Sequence, residues 1–306
     1  SDVAALVRHT EQVLYLDDRE VAVLDAGGYR TLTLDDQPTE KAPATVQWGH
    51  EAYDRGEHEH FMLKEILEQP EACGRTLKGR LDLQFSTAHL GGLNLTPRDL
   101  LDIKRVKILG CGSAYYSGIG GAHLIEALTR VPADAEAASE FRYRNPVIEK
   151  DCLYVAVSQS GETADTLAAV QEVQRKGGRV LGIVNVVGSS IARACDGGIY
   201  IHAGPEVSVA STKVFTCTLV AFALLALYLG RIRDLSPANG RRLIDALQRL
   251  PDQMGEILRQ VPHIRDVARR YAGRANAFYI GRANGYPVAL EGAQKLKEIA
   301  YVHAEA

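Results

Sequence analysis

Cysteine is sparse and shows no pairing pattern: Cys73, Cys111, Cys152, Cys195 and Cys217 are odd in number, scattered and without a CxxC pair. There is no disulfide framework to read, and free thiols in a reducing cytoplasm are the expectation. A surplus of either charge is also missing. At a net charge of -3 the chain has no global basic field for nucleic acid or an anionic membrane. The apolar run Leu219–Leu229 is shorter than the roughly 18 residues that cross a bilayer and ends at Gly230 and Arg231, so it reads as a buried core helix. The first residues, Ser1-Asp-Val-Ala-Ala, lack the basic-then-apolar order of a signal peptide. Glu57-His58-Glu59-His60 offers two histidines with no third ligand nearby, so no metal is expected. At 306 residues the chain accommodates two domains, or one large α/β domain with extensions.

What is present is organised around Val155-Ala-Val-Ser158-Gln159-Ser160-Gly161-Glu-Thr163. Before it, Leu153 to Val157 is an apolar, partly β-branched run of buried-strand length. After it, Leu167, Val170 and Val173 recur at helical spacing, which predicts a helix over 164–176. The turn between carries three hydroxyls and a carboxamide at a helix start, where free backbone N–H groups and the helix dipole favour an anion. A phosphomonoester site and an ordinary Ser/Thr-capped helix both fit this stretch.

Strand and helix alternate from Val106 onward. Val106–Leu109, Cys152–Ser158, Val180–Val184 and Gly198–Ile201 read as strands. The turn Gly110-Cys-Gly112-Ser113 opens a helix through Leu128, and 190–194 reads as a short helix. That alternation predicts an α/β fold, a doubly wound parallel sheet with flanking helices, with ligands outside the carboxyl ends of its strands. Upstream, Val13–Leu16, Val21–Leu24 and Tyr29–Leu34 predict a small antiparallel β segment, followed by a polar linker around 35–53 and helical turns at Phe61–Leu67 and near 98–102. Downstream, 238–271 is an amphipathic helical region punctuated by Pro251, and Ala277–Ile280 begins a second strand–turn–helix unit. Its helix sets Glu291, Lys295 and Glu298 on one side, either as a surface ladder or as groups placed to move protons. From Tyr301 to Ala306 the chain is expected to continue that helix.

One cofactor motif and one catalytic motif fail on inspection. Gly110-x-Gly112 lacks the third glycine of a dinucleotide fingerprint, since Tyr115 stands there, and no acidic residue follows at ribose distance. Ser158-Gln-Ser160-Gly161 lacks the glycine that a nucleophile elbow requires two residues before its serine.

Cys111-Gly-Ser113, Ser158-Gln-Ser-Gly-Glu-Thr163, Val209-Ala-Ser211-Thr-Lys213 and Glu291-Gly-Ala-Gln-Lys295-Leu-Lys-Glu298, with His303-Ala-Glu-Ala306, together resemble the glucosamine-6-phosphate synthases, the glutamine–fructose-6-phosphate aminotransferase family. The resemblance covers essentially the whole chain. Ser1-Asp-Val-Ala-Ala-Leu6 with Leu14-Tyr-Leu-Asp-Asp18 is similar to the end of that family's glutaminase domain, and His60-Phe-Met-Leu-Lys-Glu-Ile66 with Glu68-Gln-Pro70 to its linker. It implies a sugar-isomerase (SIS) fold, with 1–45 the glutaminase remnant, 46–104 the linker, 105–235 the first SIS subdomain, and 236–306 connecting helices with the start of a second. It implies fructose 6-phosphate or glucosamine 6-phosphate as ligand and no cofactor. Ser158, Gln159, Ser160 and Thr163 would surround the phosphate, Ser113 would lie near it, and Val209 and Ser211 nearer the sugar. Glu298 would be the base that moves a proton from C1 to C2, with Lys295 an auxiliary proton carrier.

Ala114 departs from the pattern, standing where the family often has serine. The glutaminase cysteine, the family's ring-opening histidine and its C-terminal Schiff-base lysine have no counterpart here, so a fragment that binds sugar phosphate without synthase turnover is expected. A homodimer in the cytoplasm is implied as well. A non-catalytic sugar-phosphate sensor would need the serine turns but not Glu298 and Lys295. A simple phosphosugar isomerase would have no use for the first segment.

Overall fold

In the computed structural model, which describes residues 9–17, 19–45 and 54–306, the described chain falls into two compact units, one within 2–56 and one spanning 57–306. Residues 1–6, Asp18 and the 46–53 part of the polar linker, all invoked above, lie outside the described residues.

The smaller unit is antiparallel. Its strands are β1 (Gln12–Val13), β2 (Glu20–Asp25), β3 (Gly28–Thr33), β4 (Pro38–Thr39) and β5 (Ala44–Thr45). β2, β3 and β4 form a meander, and β1 pairs with β5. Lys41 holds the turn before β2 by ion pairs to Asp17 at 2.5 Å and Glu20 at 3.0 Å.

The larger unit begins with α1 (Phe61–Leu67) and α2 (Gln69–Leu77), then a hairpin of β6 (Leu81–Asp82) and β7 (Thr87–Ala88), and α3 (Pro97–Asp102). Pro70 falls in the first turn of α2, where a missing N–H costs nothing, so it starts a helix there instead of only ending α1. Residues 57–104 pack into this unit: Thr76 Oγ1 donates to Ile201 O at 2.6 Å, and the Arg75 guanidinium to Ala203 O at 2.7 Å.

The main sheet follows: β8 (Arg105–Gly110), α4 (Ser113–Thr129), β9 (Ala133–Ala137), α5 (Ala138–Tyr143), β10 (Cys152–Ser158), α6 (Ala164–Arg175), β11 (Arg179–Val184), α7 (Ser190–Ala194), β12 (Gly197–Tyr200) and α8 (Lys213–Ile232). The strands pair in parallel in the order β12-β11-β10-β8-β9. All seven residues of β10 are buried, as both faces of a parallel sheet must be. Alternate side chains serve two cores: Leu153, Val155 and Val157 join one with Phe222 of α8, and Tyr154 and Ala156 join the other with Val170 and Val173 of α6. α4 and α8 approach closely because Gly121 has no side chain, and a Cβ there would stand 2.4 Å from the Phe222 ring.

β9 and α5 have no signal in the sequence reading. Ala-Asp-Ala-Glu-Ala has low strand propensity and is an edge strand. It is held by its ladder to β8 and by Lys107, which pairs with Asp134 at 2.5 Å and Glu136 at 3.2 Å. α8 is longer than the apolar run suggests. At 20 residues, and with a mean hydropathy of 1.9, it could cross a membrane by length and composition, but 78% of its most apolar 18-residue window is buried among the other elements.

Beyond it lie α9 (Pro237–Leu258), α10 (Val261–Tyr271), β13 (Asn276–Phe278), α11 (Gly285–Ala300) and β14 (His303–Glu305). Pro251 sits inside α9, and the break in the helical region comes at 259–260. The expectation that 301–306 continues the last helix is overturned. Tyr301 adopts a left-handed conformation (φ 54°) that closes α11, and residues 303–305 pair in parallel with β13. Their backbone groups find sheet partners there and Ala304 is fully buried, so His303 stands on a strand.

Candidate active site

In this strand order the chain steps from β8 outward to β9 and then back to β10 on its other side, so the reversal falls between β8 and β10. At such a switch point the turns leaving the two strands diverge and open a crevice at their carboxyl ends. Both serine turns are there. They open into one cavity of about 330 Å³, lined by Ser113, Ser158, Gln159, Ser160, Thr163, Val209, Ser211, Lys295 and Glu298, together with Ala114. Four separate stretches of sequence thus meet in one place.

The 158–163 loop is preorganised. Ser158 ends β10, is 4% exposed, and its Oγ accepts the Gly161 N–H at 3.0 Å and lies 2.9 Å from Thr163 Oγ1. Ser160 Oγ accepts the Glu162 N–H at 3.1 Å. Thr163 is the N-cap residue of α6 but makes no side-chain cap bond, so the ordinary capping explanation for its hydroxyl does not apply. Behind the loop, Gly161 O accepts the Ile191 N–H at 2.9 Å and Glu162 accepts the Ser190 N–H at 2.8 Å. Gly161 has φ +68°, and a Cβ would stand 1.9 Å from Ser189 Oγ, so only glycine fits.

Opposite, α11 presents Glu291, Lys295 and Glu298 on one side, as the helical spacing requires. Lys295 Nζ donates to Glu298 at 2.6 Å and to Ser113 Oγ at 3.0 Å, and lies 3.3 Å from Glu291. Ser113 in turn donates to Glu291 at 2.8 Å, and Gln294 to Glu298 at 2.7 Å. The two carboxylates differ. Glu291 is 6% exposed, and burial pushes its carboxyl above the usual range despite Ser113 and Lys295. Glu298 lines the cavity, with its side chain one-third exposed. Of the two, Glu298 is the one placed to meet a ligand atom, and Glu291 sits behind, bonded to Ser113 and Lys295.

Several contributors were missed from sequence. Glu206 and Ser208 line the same cavity. Glu206 is 7% exposed, and burial pushes its carboxyl up although it accepts the Thr212 and Val214 N–H groups at 2.8 and 3.2 Å. A lone glutamate between β12 and α8 carries no periodic signal, so nothing in the sequence separates it from a solvated loop residue. His303 is off the cavity lining, its side chain 61% exposed beside Glu305. His60 is also mostly exposed.

The SIS domain family matches residues 99–228. Over 305 residues the chain is 43% identical to the isomerizing glutamine–fructose-6-phosphate aminotransferase of Chlorobaculum tepidum, and over 307 residues 44% identical to that of Thermus thermophilus. Each alignment takes in 100% of this chain and 50% of the relative, so the chain spans about half the length of the curated relatives it matches. Among solved structures, the C-terminal domain of glucosamine-fructose-6-phosphate aminotransferase from Francisella tularensis superposes with a TM-score of 0.78 at 34% identity, covering 83% of this chain and 71% of that one.

Proposed function

Because the chain belongs to the glutamine–fructose-6-phosphate aminotransferase family, we propose that its cavity binds fructose 6-phosphate and is the sugar site at which glutamine-derived ammonia is used to make glucosamine 6-phosphate. The observation that carries this reading is the convergence of the nine residues singled out in the sequence on one cavity at the sheet's switch point. Ser158, Ser160 and Thr163 supply hydroxyl donors to the phosphate, with backbone N–H groups of the loop and the start of α6 adding the field of a helix N-terminus. Val209 and Ser211 flank the sugar.

Glu298 is the base that carries a proton from C1 to C2. Lys295, within hydrogen-bond reach of both Glu298 and Ser113, passes protons to the sugar oxygens. Glu291 holds Ser113 and Lys295 in register. Residues 1–45 are read as the end of a glutaminase domain, 46–104 as the linker, and 105–306 as the sugar-isomerase part. A homodimer in the cytoplasm fits the family and the five free cysteines. Calorimetric titration tests the reading: fructose 6-phosphate is expected to bind saturably and NAD not at all. A folded chain that ignores the sugar phosphate would remove the reading.

A further inference from the structure

Serine turns and α11, through Gln294, Lys295 and Glu298, account for two walls of the cavity. The third wall, the irregular segment between β12 and α8 that carries Ser208, Val209 and Ser211, has no helix or sheet to shape it. We propose that Glu65 of α1 is a positioning residue for this wall. Its buried carboxylate fixes residues 207–208 so that the 208–211 segment meets the sugar, while the phosphate half of the cavity stands without it. The proposal rests on the reading of the cavity as a fructose 6-phosphate site.

Glu65 is the one buried residue of α1, at 2% exposure. A carboxylate withdrawn from water is costly unless its lone pairs are met. Here they are met by the loop itself: Oε1 accepts the N–H groups of Val207 and Ser208 at 2.5 and 3.1 Å, and Oε2 accepts the Ser208 hydroxyl. Two consecutive backbone amides converging on one oxygen fix the direction in which the chain leaves Val207. Val209, the next residue out, is 95% exposed and has no packing to hold it.

Within the outer half, Ser208 Oγ also lies 2.9 Å from Ala210 O and Ala210 is buried; the remaining contacts act at the base of the segment. Glu206 ties back to Thr212 and Val214, and buried Lys213 pairs with Glu68 at 2.6 Å. Thr216 donates to Gln69 at 2.6 Å. Among the described residues, Glu65 is the side chain from another element that grips the outer half. The phosphate loop, in contrast, is braced by the backbone N–H groups of Ser190 and Ile191.

The test compares fructose 6-phosphate with inorganic phosphate by calorimetric titration of the full chain. Glu65→Ala leaves two buried N–H groups unmet and is expected to raise the Kd for fructose 6-phosphate at least about tenfold, with that for phosphate changed less than about twofold. Glu65→Gln keeps an acceptor at Oε1 and should return fructose 6-phosphate affinity to within about threefold of wild type. Glu65→Asp keeps the charge but falls one methylene short. It should behave like the alanine variant, and it carries the test if Glu65→Ala does not fold. A folded alanine or aspartate variant with wild-type affinity for fructose 6-phosphate overturns the positioning role. So does an equal loss for both ligands, which would mean that Glu65 supports the cavity as a whole. If the wild-type chain binds no fructose 6-phosphate, the reading of the cavity falls and the proposal with it, so the two failures are told apart by the wild-type arm.

Discussion

Ser158→Ala removes a single oxygen, and the structure says what that oxygen does. It is buried at the end of β10, accepts the Gly161 N–H at 3.0 Å, and has Thr163 Oγ1 at 2.9 Å. With a phosphate in the loop, its proton is free to turn toward the dianion, a charge-assisted bond worth about 1.5–3 kcal/mol. At about 1.4 kcal/mol per decade, Kd for fructose 6-phosphate should rise roughly 10- to 150-fold. The same change leaves the Gly161 N–H without its acceptor, so the unfolding free energy should fall by about 1 kcal/mol. Calorimetric titration and a denaturant melt on the same sample read the two effects separately. A folded Ser158→Ala chain that has lost stability but binds fructose 6-phosphate as tightly as before would refute the phosphate role and leave the hydroxyl as a brace of the loop.

Gly161→Ala should abolish detectable fructose 6-phosphate binding and cost about 1–3 kcal/mol of stability, measured by the same two methods, because its Cβ collides with Ser189 Oγ at a left-handed φ. In the natural full-length protein, Glu298→Gln should leave affinity for the sugar phosphate within about threefold but slow exchange of the C1 hydrogen with solvent deuterium by about 10²–10⁴, followed by NMR. Glu136 gives a pH dependence. Arg144, at 2.6 Å, and then Lys107 hold its carboxyl below the usual 4.5. Its stabilisation is therefore present above about pH 4.5 and lost as pH falls through the lower folded value. Denaturant midpoints measured from about pH 6 to pH 3 should show this loss, no more than about 1 kcal/mol at this partly exposed site, and Glu136→Gln should remove it.

Much of the larger unit was legible because its signals are local. β10 declares itself by a continuous apolar run, α6 by the spacing of Leu167, Val170 and Val173, and the switch-point turns by clustered hydroxyls and glycine. The nine cavity residues came from motifs that each lie on one short segment, and the sheet topology then brought those segments together. What was not legible depends on partners distant in sequence. β9 is an alanine-rich edge that exists because β8 offers it a ladder and basic partners. α2 went unread because the carbonyls its Thr76 and Arg75 reach are about 125 residues away. The end of the chain reads as helix by composition, but Tyr301 turns it into a strand beside β13. Glu65 and Glu206 are invisible for the same reason: a buried carboxylate is recognised by the amides that meet it, and those belong to folded geometry.

The most direct measurement is a crystal structure of the chain with fructose 6-phosphate bound. The phosphate is expected within hydrogen-bond distance of the Ser158, Ser160 and Thr163 hydroxyls, and the sugar turned so that C1 and C2 lie within about 3.5 Å of the Glu298 carboxylate. A phosphate seated elsewhere, or a sugar whose C1 and C2 face away from α11, would contradict the assignment of this cavity.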